Sequence, residues 1–216
     1  MSTQRHGATI VMMGLVLLAA CGGCRRSADD ADLAGGTLVF EDAFDEGGLS
    51  DRWVGPRTRW AVEDGQLVVS GARNDALWLE VPLPDRVRIE FDATSRSEEG
   101  DIKFEVFGDG RTHESGYIGI FGGWNNRVNV IARLDEHGDD RQIGAAGVQV
   151  EPGRVYRNQI VRTDGTLRWY VDGSLFLRYV DPAPLAGEGH DRFGFNNWNA
   201  PLAFDNVRVY DLGTAP

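Results

Sequence analysis

The chain has 216 residues, with 33 Asp+Glu against 22 Lys+Arg and a formal net charge of −11 at pH 7. That acidity argues against nucleic-acid binding, which calls for a basic footprint. The only two cysteines, Cys21 and Cys24, lie near the start, so the rest of the chain cannot hold a disulfide. The four histidines, His6, His113, His137 and His190, have no H-x-x-x-H spacing and no cysteine partner, which argues against a zinc site.

Arg5 and His6 precede an apolar run from Ile10 to Ala20 that is broken only by Gly14. The run is too short for a membrane span and has the form of a signal peptide over residues 1–20. Its end, Leu18-Ala19-Ala20-Cys21, resembles the lipobox of bacterial lipoproteins. The resemblance implies cleavage before Cys21 and acylation of its sulfur and amine, so that Cys21 tethers the protein to a membrane. Gly22 after the cysteine is similar to lipoproteins sent to the outer membrane. Losing residues 1–20 removes Arg5 and no acid, so the balance becomes 21 against 33, or −12. With that charge, acyl chains rather than electrostatics would anchor it. Residues 21–36 are small and polar without apolar period and read as a flexible, lipidated spacer. Residues 37–212 suit a single domain, followed by a tail at 213–216.

Within that domain nearly every segment has strand character. Thr37–Phe40 opens it. Trp60–Val62 and Gln66–Ser70 flank Asp64-Gly65, a hairpin signal because type I′ turns need positive φ at both central residues. The same dipeptide chemistry recurs at Asp164-Gly165, between Gln159–Arg162 and Leu167–Val171, and at Asp172-Gly173 before Leu175–Tyr179. Between them lie Leu77–Val81, Val87–Thr94, Ile102–Phe107, Tyr117–Phe121, Val128–Leu134 and Ile143–Val150. Phe193 and Phe195 begin a closing pair that turns at Asn196-Asn197-Trp198-Asn199 and ends in Val207 and Val209. Period-two counting puts Asp205 on the side of Val207 and Val209. No segment shows a capped 3.6-residue period. Many short strands with Gly-rich turns predict an all-β sandwich or barrel.

Two stretches carry a family resemblance. Residues 40–71, FEDAFDEGGLSDRWVGPRTRWAVEDGQLVVSG, look like the start of concanavalin A-like lectin/glucanase domains. Residues 155–176 and 193–212, ending FGFNNWNAPLAFDNVRVYDL, resemble that superfamily's final strands. The nearest branch looks like the laminin-G-like and 3-keto-disaccharide hydrolase-like domains of secreted bacterial proteins. The resemblance covers most of the mature chain and implies a jelly roll of two antiparallel sheets, the concave one forming a glycan groove in many members. Laminarinase-type glucanases in the superfamily carry E-x-D-x-x-E on one strand. Glu90 and Asp92 match its start, but Ser95 stands where the second Glu belongs, which removes that nucleophile–acid arrangement. Asp42, Asp45 and Asp205 resemble the acidic positions where some relatives hold a structural Ca²⁺.

The residues themselves leave several chemistries open. If Val87–Thr94 and Ile102–Phe107 were antiparallel neighbours with Thr94 opposite Asp101, Asp92 would face Lys103 and Glu90 would face Glu105. Opposed carboxyls about 5 Å apart suit a retaining glycosidase, so Glu90, Asp92 and Glu105 are candidate catalytic groups. The plain alternative is a solvated polar face. Tyr117, Trp124, Asn125, Asn126, Asn129 and Arg133 in the middle strands, with Asn197 and Trp198 in the closing loop, are candidate glycan contacts: rings stack on sugar C–H faces while amides and guanidinium groups bind hydroxyls. Trp53, Trp60, Trp78 and Trp169 read as core, and Asp135–Asp140 reads as an exposed turn. The expectation is therefore an outer-membrane lipoprotein that binds carbohydrate, against a glycoside hydrolase or an adhesion module with a protein partner.

Overall fold

The computed structural model describes residues 32–214. The signal peptide and Cys21 lie outside the described residues. Among these residues, no helix is long and apolar enough to cross a membrane. The expected all-β architecture is present as two antiparallel sheets.

Sheet A contains β1 (Thr37–Asp42), β3 (Trp60–Glu63), β4 (Gln66–Val69), β6 (Val87–Ser95), β11 (Val155–Thr163), β12 (Thr166–Val171), β13 (Ser174–Val180) and β15 (Leu202–Asp211). Its order is β13-β12-β11-β6-β15-β4-β3, with β1 also paired to β15. Sheet B contains β2 (Trp53–Val54), β5 (Leu77–Leu79), β7 (Ile102–Gly108), β8 (Tyr117–Gly122), β9 (Val128–Arg133), β10 (Gln142–Ile143) and β14 (Arg192–Asn196), in the order β10-β9-β8-β7-β14-β5-β2.

The three Asp-Gly turns form as the sequence predicts. Asp64, Asp164 and Asp172 have φ of 51, 50 and 50°, and the glycines after them have φ of 73, 73 and 78°. This is the positive-φ pair whose twist matches that of the strands it joins. Between the sheets, Phe91, Phe104, Phe193, Phe195 and Phe204 pack with Trp53 and Trp169. Gly119 is small because a Cβ there would lie 2.2 Å from the Phe104 ring. Trp60 joins the same core, whereas Trp78, although buried, is directed to the other side of sheet B between Leu77 and Leu79.

Four expectations need correction. First, β6 and β7 are not neighbours: β6 pairs with β11 and β15 in sheet A, while β7 pairs with β8 and β14 in sheet B. The loop between them crosses from one sheet to the other, so Glu90 cannot face Glu105, nor Asp92 face Lys103. Second, Asp205 is not on the side of Val207 and Val209. The ladder slips between Asp205 and Arg208, with Asn206 at φ 53°, and this bulge turns Asp205 outward opposite Asp92. Third, residues 144–150 are not a strand; Asn129 and Asn126 bind the backbone of Val148 and Val150 instead of a ladder. Fourth, the end of the supposed flexible spacer is held: residues 32–34 form a helical turn bonded to sheet A.

Candidate functional site

Along β7, Ile102, Phe104 and Val106 point into the core, so Lys103 and Glu105 project from the outer face of sheet B. Most of that face is covered. Ile118, Ile120 and Val130 make a small apolar cluster there, and Lys103, Glu105 and Asn196 are 2%, 0% and 0% exposed. Two loops supply the cover, one carrying His113 and the other, between β9 and β10, carrying Glu136.

Charges buried in this way need partners, and the loops provide them. Lys103 Nζ donates to Glu136 Oε2 at 2.7 Å and to Asn74 Oδ1 at 2.9 Å. His113 Nδ1 lies 2.7 Å from Glu105 Oε1, and its Nε2 lies 3.5 Å from Glu136 Oε2. Glu105 also accepts from the Glu114 amide and the Asn196 side chain. Burial disfavours the His113 cation, but its bonds to Glu105 and Glu136 outweigh burial and hold its pKa at about 9. Burial likewise opposes the Glu136 anion, yet His113 and Lys103 pull its pKa down to about 2. Glu105, His113, Glu136 and Lys103 thus form one chain in which acidic and basic side chains alternate.

Where the cover ends, a cleft of about 460 Å³ opens. Trp124 and Trp198 line it, with Asn125, Asp101, Lys103 and Glu136 among its other walls. Trp124 is 37% exposed and Trp198 48%. Arg141 stands over Trp124 at 5.7 Å and Arg73 over Trp198 at 5.2 Å, while His137 meets Trp124 edge-on.

Trp124 is presented by an unusual turn. Trp124, Asn125 and Asn126 have φ of 52, 59 and 60°, three successive non-glycine residues in the left-handed region. Such backbone costs on the order of 1–3 kcal/mol per residue and persists only where the surroundings impose it. The Asn126 side chain does so, accepting from the Val150 amide at 2.8 Å and donating to its carbonyl at 2.7 Å. The opposite wall is fixed by Asp101, whose Oδ2 accepts the Trp198 amide at 3.0 Å. Burial raises the pKa of Asp101, opposed by Lys103 and reinforced by Glu136.

The predicted glycan contacts thus separate. Trp124, Asn125 and Trp198 meet in the cleft. Asn126, Asn129 and Asn197 are buried braces: Asn129 holds Gly122 and Val148, and Asn197 holds Ala72 and Ala200. Tyr117 and Arg133 lie apart, both bonded to Asp181, with Tyr117 facing the core.

The candidate catalytic set separates too. Glu105 is sealed beneath His113 and out of reach of any ligand. Glu90 and Asp92 lie on the outer face of sheet A, where Glu90 bonds Arg88 and Gln159 and Asp92 bonds Asn206. Of the residues suggested for calcium, Asp45 lies near enough to Asp205 to help raise its pKa, while Asp42 is bonded within the protein. Both Asp42 oxygens are taken, by the Phe44 amide and the Trp53 indole N–H, and among the described residues no group of three or more His, Cys, Asp or Glu could hold a metal ion. Asp101, Lys103, His113 and Glu136 were not expected at the site. Glu136 was hidden in what reads as an exposed acidic turn, and His113 in a loop with no spacing signal.

No family model matches the sequence, and no curated protein matches it. Solved structures match the fold. They include a carbohydrate-binding module, CBM66 from Bacillus subtilis, at TM-score 0.60 and 15% identity, covering 74% of this chain and 96% of that one. The laminarinase from Rhodothermus marinus is similar at TM-score 0.58 and 19% identity, covering 82% and 97%. SCLam, a non-specific endo-beta-1,3(4)-glucanase from family GH16, is similar at TM-score 0.60 and 14% identity, covering 82% and 91%. The fold they share with this chain is a jelly-roll β-sandwich of two antiparallel sheets.

Proposed function

We propose that the protein is a membrane-anchored lipoprotein that binds poly- or oligosaccharide in the cleft between Trp124 and Trp198. The observation that carries this reading is the pair of half-exposed indoles lining one cleft, each steadied by an arginine, beside amide and carboxylate groups. Aromatic faces flanked by a few directed polar groups are what a sugar ring requires. Carbohydrate-binding modules and glucanases of the same fold support it. The Leu18–Cys21 lipobox and Gly22 support an anchor in the outer membrane through Cys21.

A hydrolytic reading has one observation in its favour. The cleft holds two carboxyls whose environments push them apart, Asp101 raised and Glu136 lowered, the pattern expected of an acid and its partner anion. Against it, Glu136 is already paired with Lys103. The test is a pull-down of the mature protein across a polysaccharide panel, with product analysis on each ligand retained. Retention without released sugar supports the binding protein. Released sugar that disappears in Asp101→Asn replaces it with the hydrolase. No retained polysaccharide would refute both.

A further inference from the structure

The chain leading into β1 is laid across the outer face of sheet A. Asp32 is 15% exposed, with Oδ1 3.3 Å from Arg86 Nη2 and Oδ2 3.0 Å from Arg168 Nη2. Thr163 Oγ1 donates to the same Oδ2 at 3.5 Å, Arg88 to the Asp32 and Gly35 carbonyls, and Gln159 to the Leu33 carbonyl at 3.1 Å. The donors come from β6, β11 and β12 or their ends, so residues 32–35 form a strap over neighbouring strands of sheet A. The Trp124–Trp198 cleft is on the outer face of sheet B, across the sandwich.

We infer that this strap sets the orientation of the domain on its membrane: the outer face of sheet A turns toward the lipid surface and the cleft turns away from it. The inference rests on the proposed lipid anchor at Cys21. From Cys21 to Asp32 is 32 − 21 = 11 residues, a reach of at most about 36–40 Å. A domain of this size has a radius of gyration of about 16 Å and so is roughly 40 Å across. The strap side can therefore lie directly at the lipid, whereas bringing the cleft side to the lipid requires the tether to run around the sandwich, a path that takes up its whole reach. The sheet A face carries exposed Arg157 and Arg178 beside the partly exposed Glu90 and Asp92, so the strap and the acyl chains, rather than charge, set the orientation. A ligand then approaches the cleft from the side away from the bilayer.

The test uses full-length acylated protein carrying Cys24→Ser, in vesicles that contain a headgroup-nitroxide phosphatidylcholine. A fluorophore is attached at Arg178→Cys, on the strap side, or at Glu99→Cys, on the cleft. The expected result is quenching several-fold stronger at position 178 than at 99, with the contrast narrowed by Asp32→Ala. Asp32→Asn, checked for folding by circular dichroism, repeats the release with a smaller change. Equal or reversed quenching in acylated protein, or a contrast that Asp32→Ala and Asp32→Asn leave intact, overturns the orientation alone. An unmodified Cys21 by mass spectrometry overturns the anchor and the orientation together.

Discussion

On the outer face of sheet A, Glu90 and Asp92 sit half-exposed beside Arg88, Gln159 and Asn206. On the outer face of sheet B, Glu105 is fully buried and Glu136 partly so, and together they flank His113 and a buried Lys103. The strands are alike in composition; the difference is the loops above them. Two loops close over sheet B and bury Glu105, whereas the strap over sheet A buries Arg88 and Arg168 but leaves Glu90 and Asp92 partly open. Loop cover, more than strand sequence, decides which acidic residues are functional candidates.

Removing Glu105 should separate the faces most sharply. Glu105→Ala leaves His113 buried without its main counter-charge, at a cost of about 3–5 kcal/mol, or a fall in melting temperature of about 6–20 °C for a domain of this size. A calorimetric scan at pH 7 measures it.

Next in size is the pH response of the cover. His113 is raised from 6.5 to about 9, so its contribution is complete below pH 6.5 and is lost as pH rises through about 9. Glu136 is lowered from 4.5 to about 2, so its contribution is complete above pH 4.5 and is lost as pH falls through about 2. Stability should decline from pH 6.5 toward 9 in the native protein, and His113→Gln should flatten that decline. Melting curves across the range check it.

On sheet A the effect should be small. Glu90→Ala leaves the buried Arg88 its bonds to the Asp32 and Gly35 carbonyls and its place over the Tyr210 ring, and so should cost less than Glu105→Ala, as measured by urea titration. Smallest of all, a chelator should leave the melting temperature unchanged, because among the described residues no group of three or more His, Cys, Asp or Glu could hold a metal ion.

The sequence made the architecture legible because its signals are local. Asp-Gly turns dictate positive φ, and period-two apolar runs dictate which face is buried, as Val87–Ser95 shows. Asp205 was misplaced because a single bulged residue reverses that parity. The Glu90–Glu105 pairing failed because nothing in the loop between their strands shows that it crosses to the other sheet. Trp124 and Trp198 were legible as aromatic residues beside amides, although the turn that presents Trp124 was not, because the sequence reads it among the middle strands. Asn126, Asn129 and Asn197 share that composition but are consumed in holding backbone. His113 and Glu136 are brought onto Lys103 only by the way two loops fold over sheet B, which no local pattern encodes.

The central claim is that the two indoles bind sugar, and isothermal calorimetry tests it most directly, with the best-retained oligosaccharide titrated into the native protein and into Trp124→Ala and Trp198→Ala. Truncating an aromatic anchor at the centre of a binding site costs more than about 1 kcal/mol, so the account predicts a loss of about tenfold or more in affinity for each variant, with the melting temperature unchanged. Native affinity in both folded variants would place the ligand elsewhere and contradict it.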